Sequence, residues 1–172
     1  DIEWVDITNN KSAEIETQKR VIRLFKDDLN YDYLGNWTEG LRTQSVEEDL
    51  LIDSLIKRGY ERSVAEKACD ELVKVATSLP NGLYEANKEV YKLLRYGVTI
   101  RVEQGQPKET VWLIDWKNPD NNHFAIAEEV TFKGGQHQKR PDLVIYVNGI
   151  ALGVIELKRS KVGVSEGIRQ NL

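Results

Sequence analysis

The sequence lacks the features that mark several broad classes of protein. It has no run of eighteen apolar residues and no basic segment leading into an apolar one at its start, so we expect neither a membrane span nor an export signal. Its single cysteine, Cys69, excludes an internal disulfide and fits a reducing, cytoplasmic setting. Val64, Ala68 and Leu72 surround Cys69 at helical spacing, which predicts a buried structural thiol and not a nucleophile.

Several common catalytic and binding arrangements are also missing. The two histidines, His123 and His137, are neither near the cysteine nor spaced as i, i+4, so we expect no zinc site. There is no arrangement typical of a nucleophilic serine or cysteine, and no G-x-x-x-x-G-K-[ST] phosphate loop, so we locate no ATP site. The chain begins at Asp1 without methionine and ends at Leu172 inside a predicted helix, and we expect a fragment of a larger chain.

Charge is unevenly distributed along the chain. The net charge is −4 at pH 7, which argues against a surface coated in positive charge. From Lys133 to the end, however, seven Lys and Arg stand against three Asp and Glu, giving +4 there and −8 in the remainder. This basic region is either an ordinary solvated surface or a contact for an anionic polymer.

The first half of the chain has the periodicity of helices. Ile15, Ile22 and Phe25 fall on one face of the first, and Ser45-Val-Glu-Glu48 and Ser63-Val-Ala-Glu66 are capping boxes that predict two further helix starts. Four helices are predicted, over residues 12–28, 45–58, 63–77 and 83–95, with a turn-rich connector over 31–42.

The second half changes to the period of strands. Asn148-Gly149, the strongest short-range hairpin signal, joins two apolar runs that we expect to be central strands covered on both faces. Helices followed by a sheet predict an α/β or α+β fold, with one domain over residues 1–172, a helical part at about 12–97 and a sheet core at about 98–172. The predicted strands are 98–102, 110–115, 124–132, 142–147 and 150–158.

Three charged residues end this hairpin. Asp142 follows Pro141, and Glu156 and Lys158 stand on the same face of a strand because side chains alternate with period two. Two carboxylates and a backbone carbonyl, for which Leu157 is placed, suit the hard oxygen preference of Mg²⁺, and an amine beside them can hold an attacking water. The pattern predicts a magnesium site for phosphodiester hydrolysis.

The register of the hairpin tests this prediction. A plain two-residue turn pairs Val147 with Ile150 and therefore Asp142 with Ile155, which turns Glu156 to the opposite face. We therefore predict a bulge or a longer loop that shifts the pairing by one residue. Taken alone, P-D…E-x-K is a weak motif, and the alternative interpretation is an ion pair at a strand end.

The segment from Arg140 to Lys158, RPDLVIYVNGIALGVIELK, strongly resembles a sequence block of type I restriction enzyme R subunits. Residues 14–18, 59–60, 87–97 and 112–119 also resemble that family, so the likeness covers nearly the whole chain. The one local departure is Ala151, where proline is frequent.

This resemblance implies a nuclease core of the PD-(D/E)xK kind, in which a mixed central sheet is flanked by helices and a helical insertion separates the first helix from the sheet. Asp142 and Glu156 would be Mg²⁺ ligands and Lys158 the catalytic lysine. Glu14 would complete the site, with Glu16 as second choice. Gln170 matches the glutamine of a Q-x-x-x-Y element, whose tyrosine would fall beyond Leu172; it would contact DNA or orient the site, or it is an ordinary solvated glutamine.

The family also implies partners. Its R subunit continues beyond this segment into an ATP-driven DNA translocase and assembles with methylation and specificity subunits, which choose the target on double-stranded DNA. Two alternatives remain: a non-catalytic DNA-binding or assembly module of the same fold, and a repair or resolvase-type nuclease of that fold. The candidates for contact with the DNA backbone are Lys133, Lys139, Arg140, Arg159, Lys161 and Arg169.

Tryptophan side chains can stack on nucleic-acid bases, and the sequence has four of them. Trp112 alternates with apolar strand residues and is predicted to lie in the core. Trp4, Trp37 and Trp116 are predicted to pack against loops.

Overall fold

A computed structural model of the chain describes residues 14–42, 44–78, 82–101, 105, 107–134 and 137–157. Its helices are α1 (14–23), which continues into a π-helical turn at Leu24–Asp28, α2 (Glu48–Lys57), α3 (Arg62–Thr77) and α4 (Leu83–Tyr96). Its strands are β1 (Asp32–Asn36), β2 (Leu41–Arg42), β3 (Val98–Ile100), β4 (Glu109–Val111), β5 (Phe124–Glu128), β6 (Thr131–Gly134), β7 (His137–Lys139), β8 (Leu143–Val147) and β9 (Ile150–Ile155).

The largest sheet has the strand order β1-β5-β8-β9. It is mixed, because β1 runs parallel to β5 while a two-residue turn joins β8 to β9. A second sheet has the order β2-β6-β7, and β3 and β4 form an antiparallel pair. Helices combined with a mixed sheet confirm the predicted α/β (α+β) class.

The chain divides into two compact units. The described part of the first comprises residues 14–42, 125–134, 137–145 and 152–157. Its core is formed by Ile22 of α1, Ile126 of β5 and Leu143 of β8, with Phe25 and Ile155 packed against them. The inward face predicted for the first helix is therefore confirmed at Ile22 and Phe25 and wrong at Ile15, which is 45% exposed.

The second unit comprises the described residues of 44–124 together with 146–151. Its core lies between α2, α3 and the β3-β4 pair, where Leu51, Leu55, Leu72 and Val111 are fully buried. Cys69 is buried among them, as predicted, and burial raises the pKa of its thiol to about 12. Each such apolar side chain contributes about 1.5–3 kcal/mol when buried.

Both predicted capping boxes are wrong. α2 begins at Glu48 and α3 at Arg62, and neither helix has a side-chain hydrogen bond from its N-cap residue. The Ser45 carbonyl instead accepts a hydrogen bond from the Ala151 amide at 2.8 Å, and Val46 pairs with Ile150 in an antiparallel bridge. The backbone at Ser45 and Val46, which the local pattern assigned to a helix start, is instead hydrogen-bonded to the beginning of β9.

Four further predictions are corrected. Residues 31–42 contain β1 and β2 and are more than a connector, and the strand predicted over 124–132 is divided at Glu129, whose φ is 55°. Leu152 and Val154 of β9 are 45% and 57% exposed, so the described part of that strand is not covered on both faces. Trp112 is 43% exposed and does not lie in the core.

Within the described ranges, no helix has the length and apolar character needed to cross a membrane.

Candidate functional site

The hairpin between β8 and β9 turns at Asn148-Gly149, as predicted. Both residues have positive φ, 52° and 78°, which is the requirement of the tight turn that Asn-Gly favours. The Asn148 side chain is buried; it accepts from the Ser54 hydroxyl at 2.8 Å and the His123 amide at 2.7 Å, and donates to the Leu113 carbonyl at 2.8 Å. These bonds fix the turn within the second unit.

Further along the hairpin, the facing residues are shifted by one. A Cβ atom added to Gly153 would lie 3.7 Å from the Cβ of Ile145, so these two positions are on the same face of the sheet. A regular two-residue hairpin would instead place Ile145 opposite Leu152. Two residues further along each strand, Ile155 packs in the same core cluster as Leu143. These two positions are therefore also on one face, as the shifted register requires. These contacts agree with the predicted irregularity, and the same register, if continued to the end of the hairpin, would set Asp142 opposite Glu156.

Asp142 is held at the start of β8 by the backbone of two neighbouring segments. Its Oδ2 accepts a hydrogen bond from the Leu157 amide at 2.6 Å, and its carbonyl accepts one from the Glu129 amide at 3.0 Å. Since only one carboxylate oxygen takes the Leu157 amide, the second can serve as a ligand for a cation. The two ends of the hairpin are thereby joined where the sequence predicted the site.

Helix α1 reaches the same region of the first unit. Gln18 donates from Nε2 to Glu128 Oε2 at 2.8 Å and to Glu129 Oε1 at 3.5 Å. At about 100° per residue, Glu14 shares the face of Gln18, whereas Glu16 is turned away by about 160°. Helical geometry therefore favours Glu14 over Glu16 as the acid that α1 offers.

Tyr33 of β1 and Glu128 of β5 are joined by a hydrogen bond in which the phenol donates to Oε1 at 2.7 Å. Burial, reinforced by this bond and by the charge of Glu128, raises the pKa of Tyr33 to about 12. The phenol therefore remains a donor at neutral pH. Glu128 accepts from both α1 and β1, which ties the two elements to the end of β5.

The structure describes only some of the basic residues that were predicted to contact DNA. Arg140 forms an ion pair with Glu129, with Nε 3.1 Å from Oε2, while its side chain is 53% exposed. Lys139, the last residue of β7, is also exposed, as is Lys133 of β6. The remaining candidates, Lys158, Arg159, Lys161, Arg169 and Gln170, lie outside the described residues.

The acidic residues of the prediction do not assemble into a complete metal centre in the described part of the chain. Within those ranges, no group of three or more His, Cys, Asp and Glu side chains is arranged to hold a metal ion. Asp142, Glu156 and Leu157 are all half-buried at the shared end of β8 and β9, and the predicted donor set there is two carboxylates and a backbone carbonyl. This donor set fits a hard cation that keeps several waters.

Sequence reasoning missed the network around Glu128 and Glu129. Gln18 is 110 residues from Glu128, and no local pattern links positions that distant. One signal was present: a pair of charged residues interrupts an apolar run that had been interpreted as a single strand.

Comparison with known proteins places the chain in a family. Residues 11–172 match the family described as type I restriction enzyme R protein N terminus. The type I restriction enzyme HindI endonuclease subunit of Haemophilus influenzae is 40% identical over 105 residues, which is 59% of this chain and 10% of that protein. A protein of Methanocaldococcus jannaschii named as the MjaIXP endonuclease subunit is 26% identical over 148 residues, 78% of this chain and 14% of that protein.

The matched segments span 10% and 14% of the length of these relatives. No solved structure matches it. Because the family match extends over almost the entire sequence, the chain belongs to the family of N-terminal domains of type I restriction enzyme R proteins.

Proposed function

We propose that this chain is a Mg²⁺-dependent endonuclease domain that hydrolyses DNA phosphodiester bonds with an activated water, on a core of the PD-(D/E)xK kind. The observation that supports the proposal is the bond from the Leu157 amide to Asp142, together with the register shift at Ile145 and Gly153 that would set Asp142 opposite Glu156. A plain hairpin would separate these two carboxylates on opposite faces.

Asp142, Glu156 and the Leu157 carbonyl would hold the cation. In extended chain, the N–H and C=O of one residue point to the same neighbouring strand, and the Leu157 amide points to Asp142. When bound, Mg²⁺ lowers the pKa of an attacking water and neutralises charge on the phosphate. The backbone bond to Asp142 fixes the orientation of its carboxylate before any ligand arrives.

Lys158 would position the attacking water or stabilise the charge that develops on the phosphate. It is two residues from Glu156, so an extended backbone over 156–158 would direct both side chains to one face. Glu14 would complete the acidic set from α1, held near the site by the contact of Gln18 with Glu128.

The exposed basic residues would contact the DNA backbone without reading bases. Lys139 is available for such a contact, while Arg140 would have to share its guanidinium between Glu129 and a phosphate. Arg159, Lys161 and Gln170 extend the same stretch of sequence beyond Lys158. We propose double-stranded DNA as the substrate.

The relatives are endonuclease subunits about ten times the length of the matched segment. We propose that this domain acts within such a subunit, together with methylation and specificity subunits in the cytoplasm. In that setting an ATP-driven translocase in the same subunit would deliver the DNA to be cut.

The full-length subunit, assembled with its partners, tests the proposal. Asp142→Ala and Lys158→Ala should each lower DNA cleavage by at least about 100-fold, because each removes a group that stabilises charge in the transition state. ATP hydrolysis and translocation should persist at the wild-type rate, which excludes misfolding. Asp120→Ala, an exposed acid outside the site, is the matched control and should cleave normally. Cleavage that survives either site variant would rule out the proposed chemistry.

A further inference from the structure

The second unit contains a cavity of about 540 Å³ in which aromatic and cationic side chains meet. This volume is within the range of about 300–1,000 Å³ that is usual for small-ligand sites. None of the proposed nuclease residues lines it, so it would be a separate site. Four of its lining residues are aromatic: Tyr60, Tyr96, Trp112 and Trp116.

The aromatic rings of the cavity are accessible to a ligand. Trp112, Trp116 and Tyr96 are 43%, 49% and 66% exposed. The Trp116 indole is nevertheless held in place, because its Nε1 donates to the Leu94 carbonyl at 2.8 Å. Large aromatic surfaces that are both exposed and fixed are suited to stacking on a planar partner.

Three cations, Arg58, Arg95 and Lys117, also line the cavity. The Arg95 guanidinium carbon lies 5.6 Å from the centre of the Trp116 ring. Arg58 donates to the Trp112 carbonyl at 2.6 Å, and its buried Nε has no hydrogen-bond acceptor in the described part of the chain. The cavity therefore holds positive charge beside its aromatic rings.

Asp115 is the one acidic side chain among the lining residues, and its hydrogen bonds lie within its own loop. It accepts from the amides of Lys117 at 3.1 Å and Asn118 at 2.9 Å, and from Nδ2 of Asn121 at 2.9 Å. These bonds, that of Asn121 first, lower the pKa of Asp115. Asp115 therefore stays negative at neutral pH, but the three cations outnumber this one carboxylate, and the net positive charge favours an anionic ligand.

A ligand that matches aromatic faces and cations is planar and anionic, which is the chemistry of a nucleotide. Bases in a duplex cover one another's faces, whereas unpaired bases can stack on aromatic side chains. We propose that this cavity binds an unpaired nucleotide of single-stranded DNA, with the base on the exposed rings and the phosphate at Arg95 and Lys117.

Tyr96 and Tyr91 give a matched pair to test the stacking. Both are exposed tyrosines of α4, and only Tyr96 lines the cavity. Binding of fluorescein-labelled oligothymidine to the chain is measured by anisotropy in EDTA, which suppresses metal-dependent cleavage. Tyr96→Leu should weaken binding at least about fivefold, the lower end of the effect of losing one base stack. Tyr91→Leu should bind as the wild type does.

Arg95 and Lys88 give a matched pair for the charge. Both are on α4, and only Arg95 lines the cavity. Arg95→Gln should weaken binding and reduce the slope of log affinity against log salt by about 0.7, the value for one phosphate contact on a single strand. Lys88→Gln should leave the slope unchanged, and thermal melting checks that every variant is folded.

Equal affinities for Tyr96→Leu and Tyr91→Leu, or equal salt slopes for Arg95→Gln and Lys88→Gln, would overturn the proposal. The proposal would also be overturned if Tyr96→Leu weakened binding of a duplex of the same length as strongly as it weakens binding of the single strand. Free thymidine monophosphate that binds as tightly as the oligomer would assign the cavity to a free nucleotide. An oligoglutamate peptide that competes equally well would reduce it to a general anion site.

Discussion

The position of Asp142 is fixed by backbone groups that are distant from it in sequence. Its carboxylate meets the Leu157 amide and its carbonyl meets the Glu129 amide, from segments that lie on either side of it in sequence. The sequence predicts Asp142 and Glu156 as site residues because a wholly apolar hairpin ends in charges. It did not identify Gln18 or Glu128, because their contact depends on the packing of α1 beside β5.

Glu14 and Glu16 are the two candidates for the acid that α1 contributes to the site, and only Glu14 is on the face of Gln18. Glu14→Gln should lower cleavage by about 10- to 100-fold, the usual effect of altering a group that supports a metal site. Glu16→Gln removes the same charge from the opposite face of α1 and should change the rate less than twofold. Both are measured as cleavage rates of the assembled full-length enzyme. A larger loss with Glu16→Gln would reverse the assignment.

The elements follow their local signals except where a distant segment competes. The helices over 62–77 and 83–96 end close to the predicted positions, and the Asn148-Gly149 turn is where the pattern placed it. Ser45 fails as a helix cap because its carbonyl pairs with Ala151. Local sequence therefore predicted the helices and the hairpin turn, whereas long-range pairing decided where α2 begins and formed β1 and β2, which no local signal predicted.

The turn between β8 and β9 has a testable steric requirement. A Cβ atom on Gly149 would lie 2.6 Å from the Glu47 carbonyl oxygen and 2.8 Å from the Leu51 amide nitrogen, whereas one on Gly59 would meet nothing within 4 Å. Both glycines have positive φ, so alanine costs each about 1–2 kcal/mol in backbone strain. Gly149→Ala should cost a further 1–3 kcal/mol or so, because fixed backbone must move.

Urea denaturation of Gly149→Ala and Gly59→Ala measures this difference in the free energy of unfolding. Gly59→Ala controls for the backbone strain that the two substitutions share. Equal destabilisation by the two variants would mean that the turn is not packed against the start of α2.

At the scale of the whole molecule, the sequence predicted the mixed α/β class and the family, both of which are confirmed. It treated residues 1–172 as one domain, and the described residues cluster into two compact units whose boundary passes through β8 and β9. Ile145 and Tyr146 are adjacent in β8 and belong to different units. A boundary inside a strand leaves no linker or change of composition, so sequence reasoning had no means to find it.

The location of the metal is the most direct test of the proposed nuclease site. In the full-length subunit bound to duplex DNA, Fe²⁺ replaces Mg²⁺, and ascorbate with peroxide then cleaves the polypeptide next to the bound iron. We predict oxidative cuts in two segments, around Asp142 and around Glu156–Leu157, which weaken in Asp142→Asn and persist in Asp120→Asn. Cuts that fall elsewhere, or that are unchanged in Asp142→Asn, would contradict a metal site at the end of this hairpin.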